Sequence, residues 1–221
     1  MSELQGLVEK ALEDFKHFFA STSNPVMAYS GGKDAIVTLH LAHQVQPVQS
    51  VCEISFFLER QLANIQEIST QLGFSVDYVA YRDWDWLKAH PEYVFANASK
   101  LRGKSFAQRQ QRTAKLYAQK RNADAVIFGR RLEENTVPKM RYQKQGVEQF
   151  HPLMHWREKH IWEYFEAYKI PIPWVYTTLF GQKEGNAPFY ALKASDVGGY
   201  ENAWQLITSL DPSITKGRLG L

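Results

Sequence analysis

A short apolar run, Pro25-Val26-Met27-Ala28, leads straight into Tyr29-Ser30-Gly31-Gly32-Lys33-Asp34, and Ile36, Val37, Leu39, His40 and Leu41 then recur at helical spacing. This reads as a strand, a tight glycine turn and a helix. Adjacent glycines open backbone dihedrals closed to other residues and let a ligand approach the main chain. The turn delivers the chain to a helix N-terminus, where unpaired N–H groups and the positive dipole end favour an anion. Lys33 adds a full positive charge and Ser30 a hydroxyl. Two readings stand: a phosphate cradle, or an ordinary strand-to-helix turn with Asp34 as its N-cap. The segment matches neither the G-x-x-x-x-G-K-[ST] loop nor G-x-G-x-x-G.

The elements that follow set the fold class. Val48–Ile54 reads as a second strand, Leu58–Leu72 as a helix stopped by Gly73, and Phe74–Ala80 as a third strand. A β-α-β-α-β order predicts an α/β, doubly wound three-layer sandwich with a mainly parallel, five-stranded sheet. In such sheets ligands lie beyond the carboxyl ends of the strands, where the glycine turn falls. Ala123–Phe128 is expected as the fourth strand. It runs into Gly129-Arg130-Arg131-Leu132-Glu133-Glu134, which puts two arginines and two glutamates on the same rim. Arginine's planar fork suits phosphate or sulfate oxygens, and a carboxylate there can orient an arginine or help hold magnesium. The competing reading is a surface salt-bridge cluster.

Before the first strand, Leu4, Leu7, Val8, Ala11, Leu12, Phe15, Phe18 and Phe19 mark an amphipathic helix over residues 2–20, packed on the domain. Asp83-Trp84-Asp85-Trp86, at the end of the third strand, either lines a site or starts a helix that buries both indoles, and the helix start is the favoured reading. From Tyr93 to Asn122 there is no acidic residue, while Lys100, Arg102, Lys104, Arg109, Arg112, Lys115, Lys120 and Arg121 are present. A one-signed run of this kind is either a solvated helix or a contact for a polyanion; Lys104, Arg109 and Arg112 are then anion contacts. The polyanion would be substrate phosphate or, along residues 100–121, a nucleic-acid backbone. Lys139–Gly146 reads as a turn, a hairpin being one form of it, and a helix carrying Ile161, Trp162, Tyr164 and Phe165 comes later. Residues 1–176 are expected as the nucleotide-binding α/β domain and 177–221 as an extension wrapping it, with a helical patch at Trp204–Leu210.

Composition narrows the chemistry. The single cysteine, Cys52, excludes an internal disulfide, a C-x-x-C redox pair and a cysteine-based zinc site. No metal is expected at His151, His155 and His160, which lack a tight ligand spacing. With no long apolar span and no cationic leader, the expectation is a cytoplasmic protein without membrane contact.

The Ser30–Asp34 turn after the first strand resembles the pyrophosphate-binding loop of the adenine nucleotide alpha-hydrolase superfamily, the ATP pyrophosphatases and their relatives. That loop usually continues with serine, whereas this chain has Ala35. Gly129–Glu134 and His151–Tyr164, with Pro171 and Tyr176 beyond them, resemble one branch of it, the phosphoadenylylsulfate reductase family, which includes the small subunit of ATP sulfurylase. The similarity runs from about Val26 to Tyr176.

The resemblance implies that Tyr29, Ser30, Gly31, Gly32, Lys33 and Asp34 hold phosphates, with Gly129 and Arg131 near the adenosine or a second anion and Arg130, Glu133 and Glu134 beside them. Lys33, Asp34 and Arg131 are the expected catalytic residues. The implied ligand is ATP or a related adenine nucleotide with Mg2+, without zinc or an iron–sulfur cluster. The implied activity is cleavage or transfer at the alpha phosphate of ATP with release of pyrophosphate, a protein partner or second subunit being one way to complete the site. Reductases of the family attack the sulfonucleotide with a cysteine near the C-terminus, and none follows Cys52. Two alternatives remain: a sulfonucleotide-binding protein that borrows an external thiol, and a non-catalytic nucleotide- or nucleic-acid-binding module.

Overall fold

The computed structural model describes residues 2–54, 57, 59–80, 84–91, 111–133, 139–144, 146–177 and 194–210. Helix α1 (Glu3–Ser21) begins at Ser2, whose hydroxyl accepts the Gln5 N–H at 3.1 Å. Its stripe of Val8, Ala11, Phe15 and Phe18 is buried. Phe18 stacks on Phe150 at 4.4 Å between ring centroids, and Phe15 meets the same ring edge-on at 5.3 Å. The expected amphipathic helix is thus a core element.

Strand β1 (Pro25–Ala28) and helix α2 (Lys33–His43) flank the glycine turn. Strand β2 (Gln49–Glu53), helix α3 (Glu59–Gln71), strand β3 (Val76–Val79) and the short helix α4 (Trp84–Ala89) follow. Gly73 adopts φ +69 just beyond α3, a left-handed turn that ends the helix. Helix α5 occupies 111–120. Strands β4 (Ala125–Phe128), β5 (Arg141–Lys144) and β6 (Val147–Phe150) precede helix α6 (Glu158–Ala167), a 3-10 turn at Trp174–Tyr176, a second at Ala194–Val197, and helix α7 (Tyr200–Leu210).

The sheet has six strands in the order β3-β2-β1-β4-β6-β5. β1 is parallel to β2 and β4, and β4 to β6, whereas β5 runs antiparallel to β6. The five-stranded expectation is therefore corrected by one antiparallel edge strand. Within the segment expected as a turn, Arg141–Lys144 is one arm of a hairpin whose other arm is Val147–Phe150, and Gly146 before that arm takes φ +81.

From β1 the chain moves outward to β2 and β3, then returns to the other side of β1 at β4. Right-handed crossovers running in opposite directions put their helices, α2 and α5, on opposite faces. α1, α2 and α6 pack against one another. The order reverses between β1 and β4, whose ends are level, Ala28 opposite Phe128. The turns after these strands consequently leave the sheet side by side, at the place where such folds bind ligands.

The chain divides into two compact units. One comprises Met1–Cys52, Ile68–Asp77 and Gln111–Ile172; the other comprises Glu53–Glu67, Tyr78–Gln110 and Pro173–Leu221. The turns after β1 and β4 both belong to the first. In the second unit, Asn64 accepts the Trp174 N–H at 2.7 Å and the Arg60 guanidinium lies over the Trp174 ring. Among the described residues, no helix is long and apolar enough to cross a membrane.

Candidate functional site

The turn after β1 is built from the backbone outward. Tyr29 is buried, its N–H donating to the Val51 carbonyl at 2.9 Å and its hydroxyl oxygen accepting from Ser69 Oγ at 3.3 Å. It anchors the turn in the core. Gly31 takes φ +68, a conformation that side chains disfavour. Ser30 Oγ accepts the Gly32 N–H at 3.3 Å. The N-cap of α2 is Gly32, with no side chain to satisfy the first-turn donors. This corrects the alternative that made Asp34 the cap. A glycine cap leaves the helix end open to an anion, where a serine or aspartate cap would have filled it.

Asp34 lies one residue inside α2 and faces two cations. Its Oδ1 accepts from Arg131 Nε, and its Oδ2 is 3.3 Å from Lys33 Nζ. Arg131 is fully buried, and its Nη1 donates to Glu133 Oε2. The same Glu133 oxygen accepts the backbone N–H of Glu158, the first residue of α6, at 2.8 Å. Glu158 Oε1 lies 3.6 Å from Lys33 Nζ. These contacts close a ring: Lys33, Asp34, Arg131, Glu133, Glu158 and back to Lys33. Among the described residues, two cations share three carboxylates, a net of one negative charge. The Glu158 N–H and then Arg131 hold the Glu133 carboxyl below its ordinary pKa.

The Gly129 position is sterically fixed. A Cβ built there would lie 2.8 Å from both the Asp34 carbonyl oxygen and Thr38 Oγ1. Only glycine lets the end of β4 come this close to the first turn of α2, which brings Arg131 onto Asp34. Leu132 N donates to the Met154 carbonyl at 2.9 Å and fixes the segment from the other side. Arg130 turns away from the ring toward Phe128, its guanidinium 4.7 Å from the ring centroid, and burial lowers its pKa.

Of the sequence-predicted residues, Lys33, Asp34, Arg131 and Glu133 meet in the ring, with Tyr29–Gly32 and Gly129 as its frame. Arg130 lies beside it. Arg112 is exposed on α5 and does not join the ring. Glu134, Lys104 and Arg109 lie outside the described residues. Glu158 was missed as a site residue. Its one sequence signal is an acidic side chain opening the Ile-Trp-x-Tyr helix, which reads equally well as a response to the helix dipole.

Residues 24–182 match the model of the phosphoadenosine phosphosulfate reductase domain. The sulfate adenylyltransferase subunit 2 of Brucella ovis is 28% identical over 200 residues, covering 78% of this chain and 67% of that protein. Among solved structures, a phosphoadenylyl-sulfate reductase from Candida auris in a phosphate complex superposes with a TM-score of 0.57 at 13% identity, covering 78% of this chain and 90% of that one. The NMN synthetase of Francisella tularensis superposes with a TM-score of 0.60 at 15% identity, covering 100% of this chain and 98% of that one. These two likenesses establish a shared fold. The family model spans well over half of the chain, and on that match the chain belongs to the phosphoadenosine phosphosulfate reductase domain family.

Proposed function

We propose that this chain binds an adenine nucleotide with its phosphates against the Ser30–Asp34 turn and cleaves or transfers at the alpha phosphate of ATP, releasing pyrophosphate. The observation that carries the reading is the pairing of an uncapped helix N-terminus at Gly32 with a buried lysine one residue later. Family membership and the adenylyltransferase name of the Brucella relative support the reaction class. Lys33 and the first-turn amides of α2 stabilise charge on the departing pyrophosphate as an attacking oxyanion reaches the alpha phosphorus. Arg131 acts through Asp34 and Glu133, holding both carboxylates on the rim. Magnesium bound to the nucleotide would neutralise its phosphates, which suits a ring that is net negative among the described residues. The relative's designation as subunit 2 supports a second subunit as partner.

Cys52 is fully buried in β2, a position that suits packing rather than nucleophilic attack, and a reaction at sulfur would need a thiol from elsewhere. Calorimetric titration with magnesium ATP and with adenosine 3′,5′-bisphosphate, wild type beside Lys33→Ala, separates the two. ATP binding that the substitution abolishes supports the proposal. Binding of the bisphosphate alone favours the sulfonucleotide reading, and binding of neither overturns both.

A further inference from the structure

Among the described residues, the ring around Lys33 has one contact that spans 3.6 Å without a hydrogen bond. Lys33 and Arg131 side chains are 3% and 0% exposed, whereas those of Glu133 and Glu158 are 48% and 37% exposed. The Arg131 contacts are direct hydrogen bonds, and Glu133 is further held by the Glu158 N–H. The Glu158 carboxylate has no comparable hold. Its Oε1 stands 3.6 Å from the ammonium, beyond hydrogen-bond range, and this buried oxygen has no hydrogen-bond partner among the described residues. Among the described residues, Glu158 is therefore attached to Lys33 by charge alone, from a side chain that is 37% exposed.

We propose that Glu158 is an internal counter-ion that occupies Lys33 in the empty site and competes with the incoming phosphate for it, so that it sets affinity and selects the magnesium-bound form of a polyphosphate. The inference rests on the phosphate reading of the Ser30–Asp34 turn. A bare polyphosphate meets a ring of net charge −1 and must displace a carboxylate from the lysine it needs. With magnesium aboard, the ligand brings its own neutralisation, and Glu158 can swing outward without exposing two anions to each other. The swing requires only a side-chain rotation, because the backbone N–H of Glu158 stays on Glu133.

The test is calorimetric titration with inorganic pyrophosphate, with and without magnesium, on wild type, Glu158→Gln, Glu158→Ala, Lys33→Met and the Lys33→Met/Glu158→Gln double variant. Thermal melts establish that each is folded. Removing the competing charge should tighten magnesium-free pyrophosphate about fivefold, the scale of a part-exposed ion pair. It should also narrow the difference that magnesium makes. The gain should vanish in the double variant, since it acts through Lys33. Unchanged or weaker binding in both Glu158 variants, with wild type binding and Lys33→Met not, overturns the counter-ion role and leaves the phosphate site standing. Equal binding by wild type and Lys33→Met, or binding by neither wild type nor Glu158→Gln, overturns the phosphate site itself and the inference with it.

Discussion

Gly129→Ala is the sharpest perturbation of how the fold makes the site. The added methyl carbon would lie 2.8 Å from the Asp34 carbonyl oxygen, 2.8 Å from Thr38 Oγ1 and 2.9 Å from the Asp34 carbonyl carbon. Two of these are backbone atoms of the first turn of α2, so no side-chain rotation relieves the overlap. Overpacking at such a position costs about 1–3 kcal/mol. For a chain of this length each kcal/mol lowers Tm by about 2–4 °C, which predicts a drop of about 2–12 °C. The displacement also breaks the Thr38 hydroxyl bond to Asp34, 2.8 Å long, and draws Asp34 off Arg131. ATP affinity should fall at least about tenfold, a change of about 1.4 kcal/mol. Gly6→Ala is the control: it lies in α1 with nothing within 4 Å of its Cβ, and it should stabilise by about 0.5–1 kcal/mol. Differential scanning calorimetry and ATP titration read both. A Gly129→Ala protein that melts with the wild type and binds ATP as well would refute the claim that close approach of β4 to α2 builds the site.

Two further outcomes follow from buried charge and half-buried imidazole. Arg131→Met should cost about 3 kcal/mol in urea denaturation, the low end for breaking a buried pair, because its carboxylate partners keep 15% and 48% exposure; Arg131→Lys should recover only part, lacking the fork that serves Asp34 and Glu133 together. Equal stability of the two variants would show that charge alone matters there. Burial lowers the pKa of His40, with His43 adding to it, and burial likewise lowers His43. Below the ordinary histidine range the unfolded chain takes up protons that the folded chain resists, so stability present near neutrality should fall as the pH drops from about 7 toward the depressed folded values. A His40→Gln variant should show a shallower fall in Tm between pH 7.5 and 5.5, and a slope equal to wild type would assign the loss elsewhere.

The sequence disclosed what rests on short-range pattern. Gly31 and Gly32 announced the turn because their conformations demand glycine or permit an open cap, and the apolar runs at Val26 and Val126 could only be buried strands. The hairpin strands were harder to read: Arg141–Lys144 and Val147–Phe150 were not located as strands, because both are polar and Arg141–Lys144 is a charged edge strand with one neighbour among the described residues, so neither carries the apolar run of Pro25–Ala28 or Ala125–Phe128. Asp34 was legible as acidic and first-turn, which suits a cap, but its side chain serves a partner 97 residues away. Long-range pairing of this kind leaves no trace in local spacing. The Gly-x-Arg segment was recognisable by resemblance, yet the reason for its glycine, the approach to Asp34 and Thr38, is visible only in three dimensions.

The ring also shows why a cluster of charges at a strand end does not by itself assign roles. Lys33 and Arg131 are buried, and a buried cation must be paired for the chain to fold at all. Asp34 answers that need for both, and Glu133 for the arginine. These pairings would be present in a protein that did no chemistry. The kind of contact separates the remaining member from them, because Glu158 meets Lys33 at 3.6 Å without a hydrogen bond. An anion entering from solvent reaches Glu158 before it reaches Lys33, and among the described residues the Glu158 oxygen facing the lysine has no hydrogen bond to hold it. Structural pairing therefore accounts for the hydrogen-bonded part of the ring, while the Glu158 contact suits the proposed exchange, in which a phosphate would take the carboxylate's place and the buried lysine would keep a partner.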